Sequence, residues 1–234
     1  MYEVLEKINL SFNEKQINRF NKFIEIITGY NSKVNLVSNN DIKYIFEKHI
    51  YDSLALNLFL TGYYNGKGIK LLDIGTGGGF PAVPLALAFE NIEITAVDST
   101  KKKIDFINIV KNELEINNLM TLCSRVEELD KSFKNKFDVV TSRAMAELRI
   151  ILEYAVPYLK TEGYFVCYKS LKADDEIKSA QNALKILNAE IIDKIEYTLP
   201  VEAKTTRNLI VIKKKGGVSS LYPRKNGAIR KKPL

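Results

Sequence analysis

The chain has 234 residues, 46% of them hydrophobic and 27% charged, with a formal net charge of +7. That length suffices to bury a full core, and that balance excludes a disordered or fibrous protein. No apolar run approaches the ~18 residues of a membrane span, and Met1 to Glu6 lack the basic and apolar regions of a secretory signal, so a cytoplasmic protein is expected. One histidine and two cysteines argue against a structural zinc site. Cys123 and Cys167 each sit in an apolar run and are expected as buried free thiols.

The charge is unevenly placed. Residues 213–234 hold eight basic side chains and no acid, so the +7 of the whole chain leaves residues 1–212 at −1. Gly216-Gly217, Ser219-Ser220, Pro223 and Gly227 give that end little to pack, so it is expected to be flexible. Its function is open between a solubilising end and an arm on a polyanion, with Tyr222 as a stacking group.

In chain order, Leu5, Ile8, Phe12, Ile17, Phe20, Phe23, Ile24 and Ile27 repeat at helical spacing and predict a helix over 3–29, stopped by Gly29. A polar connection over 30–40 leads to a second helical region at 41–60. The loop from Gly62 to Gly68 is the candidate boundary, giving an N-terminal helical extension (1–62), a core (63–212) and the basic tail (213–234). The core alternates strands at 69–74, 92–97, 119–123, 137–142 and 163–168 with helices near 81–89, 100–117, 145–159 and 172–188. Ile191 to Tyr197 and Leu209 to Ile212 follow as two strands with no helix between them.

The first strand ends in Leu72-Asp73-Ile74-Gly75-Thr76-Gly77-Gly78-Gly79-Phe80-Pro81, an acid followed by a glycine cluster and an apolar helix with Pro81 at its start. Glycines let the backbone approach a ligand closely and supply φ > 0 where the turn needs it. The second strand ends at Asp98, where a carboxylate can accept both hydroxyls of an adenosine ribose. A dinucleotide pattern can be laid over Gly77, Gly79 and Ala82, but Asp73 would repel a pyrophosphate. Asp73-x-Gly75-x-Gly77-x-Gly79 better fits S-adenosylmethionine, whose amino-acid tail carries a cationic amine. Five βα units closed by a strand pair favour the same cofactor. They predict a Rossmann-like methyltransferase fold, a seven-stranded mostly parallel sheet with the last strand inserted antiparallel.

Leu72 through Ala86, with its second proline Pro84, resembles the motif of the RsmG (GidB, glucose-inhibited division protein B) methyltransferases. Further segments agree: Val97-Asp98-Ser99, Ser124-Arg125-Val126-Glu127-Glu128, Thr141-Ser142-Arg143-Ala144, Tyr168-Lys169, Tyr30 to Leu36, and His49 to Leu54. Tyr30 and Ala82 stand where the family more often has Trp and Gly. The resemblance implies methyl transfer from S-adenosylmethionine to N7 of one guanine in 16S rRNA, on the small ribosomal subunit or an assembly intermediate. It also implies that Gly75 and Phe80 lie against the cofactor, that Gly77 and Gly79 permit the turn, and that Asp98 takes the ribose. Val126 and Glu127 would bracket the adenine, and Arg143 is carried over to the cofactor site. Arg125, Lys169 and His49 are candidates for positioning the RNA; no residue stands out as a catalytic acid or base, and no metal is implied. A monomer without membrane attachment is expected.

The residues allow a check on reaction type. Thr141-Ser142-Arg143-Ala144 cannot serve as the Asn/Asp-Pro-Pro-Tyr tetrapeptide that amine methylation uses, and neither cysteine follows a proline as a pyrimidine C5 nucleophile often does. Guanine N7 is already a lone-pair nucleophile, so orientation in a water-poor site suffices. The alternative is a non-catalytic S-adenosylmethionine- or nucleotide-binding protein associated with RNA. A dehydrogenase would need a catalytic dyad that one histidine hardly offers.

Overall fold

The computed structural model describes residues 2–170, 173–201 and 205–234. Seven strands form one sheet: β1 (Ile69–Ile74), β2 (Ile92–Asp98), β3 (Leu119–Cys123), β4 (Phe137–Arg143), β5 (Leu159–Lys169), β6 (Ala189–Leu199) and β7 (Thr205–Lys214). Their order is β3-β2-β1-β4-β5-β7-β6. β1 to β5 pair in parallel, and β7 runs antiparallel to both β5 and β6. This is the arrangement expected from the strand spacing. β1 and β4 are buried almost throughout because helices cover both faces of a parallel sheet.

The helices are α1 (Glu14–Tyr30), α2 (Tyr51–Leu54), α3 (Asn57–Tyr63), α4 (Ala82–Ala88), α5 (Lys101–Glu113), α6 (Leu148–Ala155), α7 (Ala173–Ser179), α8 (Gln181–Ile186) and α9 (Asn226–Lys231). Several predicted helices are broken by local chemistry. Residues 3–29 divide into a 3-10 turn (Tyr2–Ile8) and α1, because Asn9 takes φ +57° and Asn13 and Gln16 form a capping box that starts a new helix. The side-chain amide of Asn57 closes the break by donating to the carbonyls of Ile8 and Asn9. Residues 41–60 become a 3-10 turn, a π turn (Phe46–Ile50), α2 and α3. Pro81 caps α4 from outside rather than opening it. The helix expected over 172–188 appears as α7 and α8, its first position lying outside the described residues.

The helical extension is not an appendage. Phe20, Phe23, Ile27 and Leu54 share one buried cluster with α4, α5 and the sheet. The Phe23 ring lies 5.7 Å from Phe80 and Tyr30 lies 5.4 Å from Phe106. α6 to α9 cover the opposite face. Cys167 is buried, its thiol pushed up to about 12 by that burial, whereas Cys123 is exposed near the sheet edge, contrary to expectation; both are free thiols. Alternation in so short an edge strand hides which side faces solvent.

The C-terminal segment departs furthest from expectation. Lys213 and Lys214 belong to β7, and the buried Lys214 ammonium donates to Asn135 Oδ1 and the Leu159 carbonyl at 2.6 and 2.7 Å. Lys134 donates to the carbonyls of Ser220 and Tyr222. Arg224 engages both oxygens of Glu153, a fully buried carboxylate on α6, at 2.8 and 2.6 Å. Ile229 on α9 is fully buried. The segment folds because it carries the partners of groups buried elsewhere, which composition cannot reveal. Removing one member of a buried ion pair leaves the other charge uncompensated, at a cost of about 3–5 kcal/mol. Arg224→Ala should therefore lower unfolding stability by about 3 kcal/mol, and adding Glu153→Leu should restore part of it, as chemical denaturation will measure.

Candidate active site

The strand order reverses beside β1, and the carboxyl ends of β1, β2 and β4 deliver Gly75, Asp98 and Arg143 to one edge of the sheet, where open α/β folds bind ligands. A larger groove of about 950 Å³, lined by Glu14, Arg19, Glu113 and Asn118, opens at the opposite ends of the strands and holds none of the motif residues.

The turn after β1 is held from β2. The N–H groups of Gly75 and Thr76 both donate to the Val97 carbonyl, and Gly77 N–H donates to Asp98 Oδ2 at 2.9 Å. Gly75 has φ +72°, and a Cβ there would stand 2.9 Å from Met145 Sδ; Gly79 has φ +92°, and its Cβ would meet Val83 at 2.7 Å. Both positions favour glycine on conformation, and at Gly79 the β-branched Val83 removes the space as well. Gly78 is pressed by the Leu36 carbonyl, so the connection before the second helical region seals the turn. Asn31 shapes that connection by accepting from Leu36 and Val37 N–H.

Asp73 lies beneath the turn, fully buried, accepting from the Thr141 hydroxyl at 3.2 Å. Burial pushes its carboxyl up to about 6, against the lowering influence of the nearby Thr76 and Thr141 hydroxyls and Arg143. Its Oδ2 and Thr76 Oγ1 complete no well-formed hydrogen bond among the described residues. It supports the loop from below rather than facing a cavity.

Two cavities flank this turn. The first, about 550 Å³, is lined by Gly75, Asp98, Ser124 to Glu127 and Met145, together with Tyr154, Asn226 and Arg230. Asp98 uses one lone pair on each oxygen, for Gly77 and Thr100 N–H, and keeps the others for hydroxyl donors. Val126 opens a single 3-10 turn (Val126–Glu128), which leaves its N–H without a partner inside that turn. Its carbonyl accepts from the Tyr158 hydroxyl. A close backbone approach at Gly75, a carboxylate at the β2 end, and a free N–H beside Glu127 fit an adenosine carrying an amino-acid tail. The volume suits a ligand of that size.

The second cavity, about 730 Å³, is lined by His49, Asp52, Arg143, Lys169 and Arg207 among others, and it shares Met145, Ala146 and Glu147 with the first. Arg143 donates to Asp52 Oδ2 and contacts His49 Nδ1, both at 2.9 Å, and lies over the Phe80 ring. The Tyr197 hydroxyl donates to the other Asp52 oxygen at 2.6 Å. Lys169 pairs with Glu176 and donates to the Ala146 carbonyl, both at 2.6 Å, so it anchors the loop after Arg143. Glu176 also accepts from Leu148 N–H.

Sequence-derived candidates thus divide. Gly75, Asp98, Val126, Glu127 and Arg125 line the first cavity; Arg143, His49 and Lys169 line the second. Gly77 and Gly79 shape the turn without lining either cavity, and Phe80 is buried behind it between Phe23 and His49. Met145, Glu176 and Asp52's partner Tyr197 were not singled out as site residues, although Met145 directly follows the Thr141 to Ala144 segment. Asp52 carried a signal through the segment around His49; in sequence terms Asn226 and Arg230 are only parts of the basic tail, and they reach the cavity from far along the chain.

This sheet order and glycine turn define an S-adenosylmethionine-dependent methyltransferase. Solved structures share the fold alone: M. jannaschii TYW2 in complex with AdoMet matches with TM-score 0.52 at 14% identity, covering 63% of this chain and 68% of that one. The 16S rRNA (adenine(1408)-N(1))-methyltransferase from Catenulisporales acidiphilia matches with TM-score 0.52 at 16% identity, covering 65% and 88%. The family model of rRNA small subunit methyltransferase G (GidB) matches residues 16–210, and the chain belongs to that family. Relatives named ribosomal RNA small subunit methyltransferase G include one from Fusobacterium nucleatum, 42% identical over 99% of this chain and 97% of its own. Another, from Streptococcus agalactiae serotype III, is 37% identical over 100% and 98%.

Two measurements test this geometry. Gly75→Val places a β-branched side chain at positive φ against Met145, with strain of about 1–3 kcal/mol. The variant should stay folded yet show no calorimetric binding of S-adenosylmethionine. The second concerns His49, whose pKa falls from 6.5 to about 4 through burial first and Arg143 second, with Lys48 adding and Asp41 and Asp52 opposing. A depressed folded pKa means the unfolded chain takes up the proton first, so stability is present above 6.5 and is lost as pH falls toward about 4. Asp73, raised to about 6, shifts stability the opposite way over nearly the same window and masks the effect in the wild type alone. The stability difference between wild type and His49→Gln should therefore shrink by roughly 2–3 kcal/mol from pH 7 to pH 4. A constant difference would refute the buried neutral imidazole.

Proposed function

We propose that this protein transfers the methyl group of S-adenosylmethionine to N7 of one guanine in 16S rRNA, acting in the cytoplasm on the small ribosomal subunit or an assembly intermediate. The observation that carries this is the pair of cavities meeting at Met145. One has carboxylates and a free N–H placed for an adenosine; the other, about 730 Å³, is bordered by Arg143, Lys169 and Arg207. Membership of the rRNA small subunit methyltransferase G family agrees with it.

Bound S-adenosylmethionine supplies an electrophilic methyl carbon on a sulfonium. Gly75 would bring backbone against it, Asp98 would take the ribose hydroxyls, and Val126 and Glu127 would hold the adenine. The guanine N7 lone pair forms the new N–C bond while the S–C bond breaks and its electron pair stays on sulfur. No proton leaves the base, and the product ring is cationic. A general base is unnecessary, which suits a cavity whose histidine is held neutral and turned toward Arg143. Lys169 and Arg143 already have carboxylate partners and serve to orient their loops. The Arg207 side chain makes no hydrogen bond or ion pair among the described residues, so it is the better candidate for an RNA phosphate. Arg125, at the mouth of the first cavity, is a second.

A cationic 7-methylguanosine makes RNA cleavable by borohydride and aniline. Small subunits lacking the modification, incubated with the protein and S-adenosylmethionine, should yield one new cleavage site. Labelled RNA that resists cleavage would assign an amine or ribose acceptor instead.

A further inference from the structure

Two residues of the C-terminal segment, Asn226 and Arg230, line the same cavity as Gly75, Asp98, Val126 and Glu127. They lie on α9, which is held against α6 from several directions. Arg224 grips the buried Glu153 through its guanidinium and its backbone N–H. Ile229 is buried against the α6 side of the sheet. The Tyr154 hydroxyl, itself lining the cavity, donates to Asn226 Oδ1 at 2.7 Å. That bond fixes the amide and leaves its Nδ2 hydrogens as donors with no partner among the described residues. Arg230 is exposed and its side chain makes no hydrogen bond or ion pair among them.

We propose that the C-terminal segment is the outer wall of the cofactor cavity, with Asn226 and Arg230 binding the adenine of S-adenosylmethionine. The inference rests on the placement proposed above, with ribose at Asp98 and adenine at Val126 and Glu127. The adenine ring carries several acceptor nitrogens; the Glu127 carboxylate offers only acceptors and the Val126 N–H can serve one of them, so further donors must come from another element. An oriented neutral amide suits a base edge better than a phosphate, and a planar guanidinium can donate to a ring or stack on its face. Lys225 and Lys231, exposed on the same segment, line neither cavity and serve as internal controls.

The test is calorimetric titration of the full-length chain with S-adenosylmethionine and, separately, with S-adenosylhomocysteine, which keeps the adenosine and lacks the methyl group. Binding by the wild type and its loss in Gly75→Val establish the cofactor placement on its own. Arg230→Ala and Asn226→Ala should then each weaken both ligands equally, by roughly three- to tenfold, with an unchanged melting temperature for Arg230→Ala. Lys231→Ala should bind as the wild type does. Undiminished affinity in both α9 variants overturns the proposal while leaving the placement intact. So does an equal loss in Lys231→Ala, or a rise in KM for small subunits with cofactor affinity unchanged, which would make the segment an RNA surface. Unchanged binding in Gly75→Val overturns the placement and this inference with it.

Discussion

Arg143 and Asp52 meet at 2.9 Å between the carboxyl end of β4 and the helical extension, nearly closed to water. A buried charge without its counterpart costs several kcal/mol, so each residue obliges the other's element to stay in place. Tyr197 on β6 completes the hydration that Asp52 has lost, while His49 and the Phe80 ring enclose the guanidinium. The extension, the glycine turn, the central strand and the antiparallel edge are thereby referred to one point. That point also sets the start of the loop carrying Met145, where the two cavities meet.

The two halves of the site are organised by different physics. On the cofactor side the backbone does most of the work: positive-φ glycines, N–H groups fastened to β2, and a carboxylate partly occupied by those same N–H groups. Around the second cavity, ion pairs hold charged side chains that would otherwise be mobile. Methylation of a lone-pair nitrogen in the proposed reaction asks only for orientation and exclusion of water, and a set of rigid paired charges supplies both. An imidazole driven to the neutral form beside Arg143 belongs to that framework rather than to proton transfer.

The same logic explains why the basic end folds. Glu153 is a carboxylate on the buried face of α6, and Lys134 and Asn135 sit on a loop with unfilled partners. Arg224, the Ser220 and Tyr222 carbonyls, and Lys214 meet those needs. A cationic segment rich in glycine and serine looks unstructured until the acid and the donors it must satisfy are brought beside it.

Local patterning determined much of this protein. Strand and helix periodicity predicted all seven strands and the antiparallel closure, because alternation and apolar runs are properties of neighbours in the chain. The glycine spacing after Asp73 pointed to the cofactor, since a turn's backbone demands are also local; Gly75 and Asp98 line one cavity with Val126 and Glu127, which only the family resemblance had singled out. The tertiary structure alone decided that Phe80 and Asp73 are buried around the turn, that Cys123 is exposed, and that Asn226 and Arg230 of α9 line the same cavity as Gly75. It also joined Asp52 to Arg143 and Tyr197, and Arg224 to Glu153. Burial and charge pairing depend on which segments the sheet order places side by side, and no window of sequence contains both members of such a pair.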